Sequence, residues 1–358
     1  MMNQKTEIPL TVKRSIELLG LFLLGYIMYI GSDIIMPLLM AFFLTIMLLP
    51  IYRFLRKKKL PESIAILVPI VILLLFAALL IWFFTAQIQF LIGDFPSIKK
   101  NVNIHLNSLS NWISSFTNTS TKQQIEIIKE QSNNFLNSTG TLLSGIAGSV
   151  SGVLIFFGLL PIYIYLIFYY KGMLKRFTTM WFDKQDLPQV EDSIKSIEKI
   201  IKSYLLGLLI QIAYITILLG GILWIVGIKH ALLIGVLFAL LNLVPYVGAL
   251  IGNLLGVLIT LSSTQETWPI LTVLVVIAVV QFLDNNILMP KIVGDKVKIN
   301  SLAAIVGIVL AGTFAGISGM FLALPIIAVL KIVFDQTENF KKWGVLLGAD
   351  RPEKNMIK

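Results

Sequence analysis

The sequence predicts an all-α polytopic membrane protein: about six full transmembrane helices plus two re-entrant helical hairpins (or eight spans), with a small external helical insert. Three observations predict it. Of 358 residues, 57% are hydrophobic and 13% charged, and several apolar runs exceed the ~18 residues that mark a membrane span. Two apolar segments, 232–261 and 302–334, are about 30 residues or longer where ~20 cross a bilayer, and each is broken near its middle. Between the third and fourth apolar runs, residues 93–148 turn abruptly to Ser, Asn and Thr.

The elements follow in order. Residues 1–15 are polar with Lys5, Lys13 and Arg14, and an apolar run covers 16–30. No small-residue cleavage site follows, so this run is expected to be a retained span rather than a signal peptide. The second span, 34–54, ends in Arg53, Arg56, Lys57, Lys58 and Lys59. That basic cluster belongs in the cytoplasm and carries the N-terminus with it, leaving Asp33 in the outer turn. The third span, 63–92, leads outward.

In the insert, Val102, Leu106, Leu109, Ile113 and Phe116 recur at steps of three and four, which makes one apolar helical face. A weaker pattern covers Ile125, Ile128 and 135–143. The insert is expected to cap a translocation path, to contact another copy or to pack on the membrane surface. The fourth span, 150–170, returns to the cytoplasm at Lys171, Lys175 and Arg176. Residues 188–202 then form an amphipathic helix, with Val190, Ile194, Ile197, Ile201 and Leu205 on one side and the pairs Glu191/Lys195 and Glu198/Lys202 on the other. A packing or coupling helix along the inner surface is the expected role, with calmodulin-like or lipid binding as the alternative. It runs into a fifth span, 204–227.

The two broken segments are interrupted at Asn242-Leu243-Val244-Pro245-Tyr246-Val247-Gly248 and at Gly312-Thr313-Phe314-Ala315-Gly316-Ile317-Ser318-Gly319. Each is either a kinked span or a hairpin that enters the bilayer and turns back. Charge favours hairpins, because they hold the loop 262–267, with Glu266 and no base, outside and Lys291, Lys296 and Lys298 inside. Broken helices in corresponding positions are also the best sequence pointer to a transporter's binding site. Gly248, Gly252 and Gly256, and again Gly312 and Gly316, repeat every four residues, as close backbone packing requires. Five parts are thus expected: spans one to three (1–92), the insert (93–148), the fourth span with the amphipathic helix (149–203), a transport core (204–335) and a cytoplasmic tail (336–358).

Composition excludes several classes. There are no cysteines and two histidines, so no Cys/His metal centre or disulfide framework is expected, and no metal or cofactor. The net charge of +10 lies in short loops beside apolar spans, so it reads as orientation and not as nucleic-acid binding. No phosphate-binding GxxxxGK[ST] loop occurs. Gly316-Ile317-Ser318-Gly319 matches the GxSG of intramembrane rhomboid proteases, but their serine needs a histidine from a later span and none follows Ser318. The protein is therefore not expected to be an enzyme.

Leu241-Asn242-Leu243-Val244-Pro245-Tyr246-Val247-Gly248, together with Asp284-Asn285-Asn286-Ile287-Leu288-Met289-Pro290-Lys291-Ile292-Val293-Gly294, resembles the signatures of the autoinducer-2 exporter family, also called PerM-type permeases. The likeness spans nearly the whole chain. It implies a bacterial inner-membrane transporter with both termini cytoplasmic, a homo-oligomer, re-entrant hairpins in the C-terminal half and an elevator-like movement. Members are linked to export of autoinducer-2 and, in some lineages, to sodium/proton antiport. Pro245, Tyr246, Gly248, Asp284, Asn285, Pro290 and Gly294 are the residues carried over by motif.

Asp284 is the candidate centre, since a carboxylate inside a membrane segment costs several kcal/mol unless paired or wet. It is expected to bind a cation or exchange a proton, or else to cap a hairpin tip. Asn285, Asn286, Gln281 and Asn242 would hydrogen-bond a small polar solute. Pro245 frees a carbonyl from its helical partner, and Gly248, Gly316 and Ser318 mark the backbone the solute would approach. Gln211 is a weaker candidate. The expected partners are the lipid bilayer, a small polar solute or cation and a second copy of the chain. The rival from another class is a non-transporting membrane scaffold.

Overall fold

The computed structural model describes residues 9–93, 150–245, 247–288 and 299–348, with 97, 100, 101, 103–105, 107 and 108 between the first two. Most of the external insert, Tyr246, and Pro290 and Gly294 of the second motif lie outside the described residues.

The described chain is helical: α1 (Leu10–Ile30), α2 (Ser32–Lys57), α3 (Glu62–Gly93), α4 (Val150–Tyr169), α5 (Lys171–Thr179), α6 (Leu187–Ile215), α7 (Gly221–Ile225), α8 (Ala231–Leu241), α9 (Val247–Ser263), α10 (Trp268–Leu283), α11 (Ser301–Gln336) and α12 (Lys341–Leu347). Five stretches are long and apolar enough to cross a membrane: Ser32–Lys57, Glu62–Gln87, Leu187–Ile225, Trp268–Leu288 and Ser301–Gln336. No more than 33% of the most apolar window of each is buried by protein, so their outward faces require lipid. This is a multi-pass α-helical membrane protein.

By contact the chain divides into two units. One comprises Met1–Thr45, Phe156–Trp181 and Ile299–Lys358, the other Ile46–Ile155 and Phe182–Lys298. The second is built on α6, α8, α9 and α10. Ile215, Leu219, Leu223, Ile234, Phe238, Val273, Ile277 and Val280 form its buried core. α8 and α9 are antiparallel. Gly252 faces the Phe238 ring and Gly256 faces Ile234, with Val273 and Ile277 of α10 beside it. At the turn, a Cβ on Gly248 would overlap the Leu241 carbonyl, so only glycine lets the helices meet there.

Both ends of this hairpin lie at the far end of α3. Ile228–Leu232 line a cavity with Gln87, Gln89 and Gly93. The other end is held by the insert's first turns, where Asn101 donates to the Ser262 carbonyl at 2.9 Å and His105 Nε2 lies 2.8 Å from that of Thr264. The first broken segment is therefore a helical hairpin and not a kinked rod.

The sequence expected the amphipathic helix to run into the fifth span, and in the structure the two are one helix. α6 runs unbroken from Leu187 to Ile215, then through a π turn at Thr216–Gly220 into α7. No Gly or Pro interrupts 189–206, and the apolar face of Ile194, Ile197, Ile201 and Leu205 continues in register. Twenty-nine residues extend roughly 44 Å, more than the ~30 Å thickness of a hydrocarbon core.

In the first unit α11 is likewise folded on itself. Gly307 faces Ile327, Gly312 faces Met320, and a Cβ on Gly319 would overlap the Ala311 carbonyl. The sequence allowed an eight-residue interruption, but only Ala315 and Gly316 leave helical geometry, with φ +58° and ψ −143° at Gly316. That region is nearly restricted to glycine. Asn300 ties the start of the hairpin to the chain after it: its side chain accepts from Ala303 N–H at 2.8 Å, capping α11, and donates to the Leu346 and Gly348 carbonyls at the end of α12.

Candidate functional site

Three elements of the second unit converge on Asp284. α6 supplies Gln211 and Tyr214, one turn apart on one face. The turn after α8 supplies Asn242, whose backbone N–H still bonds to the Phe238 carbonyl, so it is held as the last position of a helix. α10 ends at Asp284, where the chain widens into a π turn, Asp284–Leu288. A π turn admits one more residue per turn and is frequently found at functional positions. The other π turn, Thr216–Gly220, follows Gln211 and Tyr214 directly.

Asp284 is 1% exposed. Gln211 Nε2 donates to its Oδ2 at 2.9 Å, Asn242 Nδ2 donates to the same oxygen at 3.1 Å, and the Tyr214 hydroxyl donates to Oδ1. All three donors are neutral, and no Lys, Arg or His pairs with this carboxylate among the described residues. Hydrogen bonds to an ionised acceptor are about twice as strong as neutral ones, which offsets part of the cost of burial. Among the described residues, the buried Gln211 Oε1 has no hydrogen-bond partner, and neither do the Thr216 and Tyr204 hydroxyls on the same helical run. The site therefore holds both a satisfied carboxylate and an unused acceptor beside it.

Of the residues singled out from sequence, Asp284, Asn242 and Gln211 come together. Gln281 lies one turn before Asn285 and reaches it at 3.5 Å, the long limit of a hydrogen bond, while Asn286 bonds back to the Phe282 carbonyl. Asn285 and Asn286 are exposed, because successive helical residues turn by about 100° and leave the face of Asp284. Pro245 and Gly248 shape the hairpin turn beside Asn242. Gly316 and Ser318 belong to the turn of α11 in the other unit. Tyr214 was missed: a tyrosine in an apolar run reads as an interface aromatic, and its spacing of three from Gln211 was the available signal.

The family profile described as AI-2E family transporter matches residues 18–339. Among individual proteins, the chain is 26% identical over 309 residues to YrrI, a candidate transport protein of Bacillus subtilis, covering 84% of this chain and 86% of that one. It is 29% identical over 328 residues to YueF, a second candidate transport protein of that bacterium, covering 85% and 84%. The Escherichia coli protein TqsA, named as an AI-2 transport protein, is 22% identical over 327 residues, covering 88% and 90%.

Proposed function

The chain belongs to the AI-2E transporter family, and from that premise we propose that it is a secondary transporter of the bacterial inner membrane that exports a small polar molecule such as autoinducer-2. The observation that carries this reading is the buried Asp284 with three neutral donors and an unpartnered Gln211 acceptor at its side. A hydroxyl-bearing solute donates to that acceptor and to the carboxylate, taking over bonds now made by Asn242 and Tyr214. The name of TqsA supports autoinducer-2 as the solute.

Depth supports the same reading. α8, with 11 residues, extends about 16 Å, and α10, with 16 residues, about 24 Å. Starting from a shared outer end, both reach Asp284 beyond the middle of a ~30 Å core. In this reading the two hairpins are re-entrant, both termini are cytoplasmic and the basic end of α2 faces inward.

A second reading, cation/proton antiport, is favoured by the carboxylate itself. Placed among neutral donors, it exchanges a proton for a cation without moving another charge. Transport in proteoliposomes of the wild type and Asp284→Asn separates the two. With a sodium or pH gradient imposed, sodium-dependent proton movement lost in the variant establishes antiport. Efflux of labelled autoinducer-2 without proton movement, weakened in the variant, establishes the exporter. Folded protein silent in both assays sinks both readings and returns the scaffold.

A further inference from the structure

A second polar feature lies on α6, N-terminal to Gln211 and near the middle of the helix. Arg53, near the end of α2, forms a bidentate pair with Glu198, Nη1 to Oε1 at 2.7 Å and Nη2 to Oε2 at 3.0 Å. Around that pair is a cavity of about 360 Å³ lined by Arg53, Lys195, Glu198, Lys199, Lys202 and Ser203. Four cations face one carboxylate. Lys195 also pairs with exposed Asp192 at 3.0 Å, a contact of little energetic weight. Lys199 and Lys202 make no ion pair or hydrogen bond among the described residues.

Both walls of the cavity stand where an apolar stretch ends. On α2 the apolar run closes at Tyr52, just before Arg53. On α6 the charged residues end at Lys202, and the apolar stretch opens at Tyr204 and Leu205, directly after Ser203. Two helices that change from apolar to basic at the same level define the headgroup layer of a bilayer, where Lys and Arg meet lipid phosphates. A soluble anion has no reason to require that level.

We propose that this cavity binds the phosphate headgroup of an anionic membrane lipid, with Lys199 and Lys202 contacting the phosphate and the Arg53–Glu198 pair forming the rigid wall. Its volume is that of a small-ligand pocket, for which about 300 Å³ suffices. Occupancy fixes the depth of α6, the helix that carries Gln211 and Tyr214 to Asp284.

The test uses the full chain in neutral detergent, titrated with phosphatidylglycerol in mixed micelles and read by native mass spectrometry, with phosphatidylcholine as the zwitterionic reference. The wild type retains phosphatidylglycerol selectively. Lys199→Gln/Lys202→Gln weakens retention on the order of tenfold, whereas Lys341→Gln/Lys342→Gln, the same charge removed from an exposed basic pair elsewhere, does not. Ser203→Asp, which keeps every lysine and sets a carboxylate in the wall, must also weaken it and covers the case of a poorly folded double variant. Equal retention by all variants, or equal loss in both lysine pairs, overturns the proposal. So does inorganic phosphate that displaces the lipid at millimolar concentration with the same lysine dependence. The readout needs no transport, so failure here leaves the Asp284 reading standing.

Discussion

At position 284 the competing terms are a buried charge and three donors. Isolated in hydrocarbon, the carboxylate is costly, and its persistence at 1% exposure depends on Gln211, Asn242 and Tyr214. Gln211→Leu is expected to lower stability by about 1–3 kcal/mol, because it removes one bond to the charged oxygen and leaves no substitute. Adding Asp284→Asn should recover part of that loss, and a double-mutant cycle of thermal unfolding in detergent measures the coupling. Additive losses would mean that the two side chains do not interact. Asp284 and Asn242 were legible in the sequence, because a lone acid and a polar break stand out in apolar runs. The grouping was less so: neighbours in sequence, Asn285 and Asn286, point elsewhere, and the actual partners come from positions 42, 70 and 73 residues away. Such convergence is a tertiary fact, and one sequence carries little trace of it.

At the scale of the element, the hairpins were legible as excess length with a break, but where each chain turns was not. In α11 the glycines read as a ladder, and only Gly316 has positive φ. Its Cβ would meet nothing within 4 Å, so Gly316→Ala isolates backbone strain, about 1–3 kcal/mol. At Gly312 the nearest atom is instead the flexible end of Met320, and Ala there should cost less. Thermal unfolding of the two variants gives the order, and the reverse order would place the turn elsewhere. Folding back also makes a distance prediction. Gly307 and Ile327 are in contact, whereas in a straight helix 20 residues separate them by ~30 Å. In a chain without cysteine, the pair Gly307→Cys/Ile327→Cys should cross-link with a short bifunctional reagent. Absence of cross-linking in folded protein would restore the kinked span. The continuity of α6 was legible at this scale, because the helical phase never breaks between its amphipathic and apolar stretches.

For the whole molecule the decisive quantity is sidedness, which hydropathy alone leaves open because two crossings and two hairpins return the chain to the same face. Contacts within the second unit constrain it. Ile228–Leu232 sit with Gln87, Gln89 and Gly93 at the far end of α3, and Asn101 and His105, which follow α3, hold Ser262 and Thr264. Arg53, by contrast, closes the near end against Glu198. Residues on both sides of the α8–α9 hairpin therefore emerge together, opposite the basic end of α2. Single cysteines at Lys229, Glu266 and Arg56, introduced into the cysteine-free chain, turn this into a measurement. In intact bacterial cells a membrane-impermeant maleimide should label Lys229→Cys and Glu266→Cys, while Arg56→Cys should react only after the membrane is opened, as the positive-inside bias predicts for the basic cluster. Labelling of Lys229→Cys and Glu266→Cys from opposite faces would make the α8–α9 segment a crossing. A crossing would also separate Asn242 from any fixed depth shared with Asp284, so this result bears directly on whether a single buried carboxylate lies on the transport path.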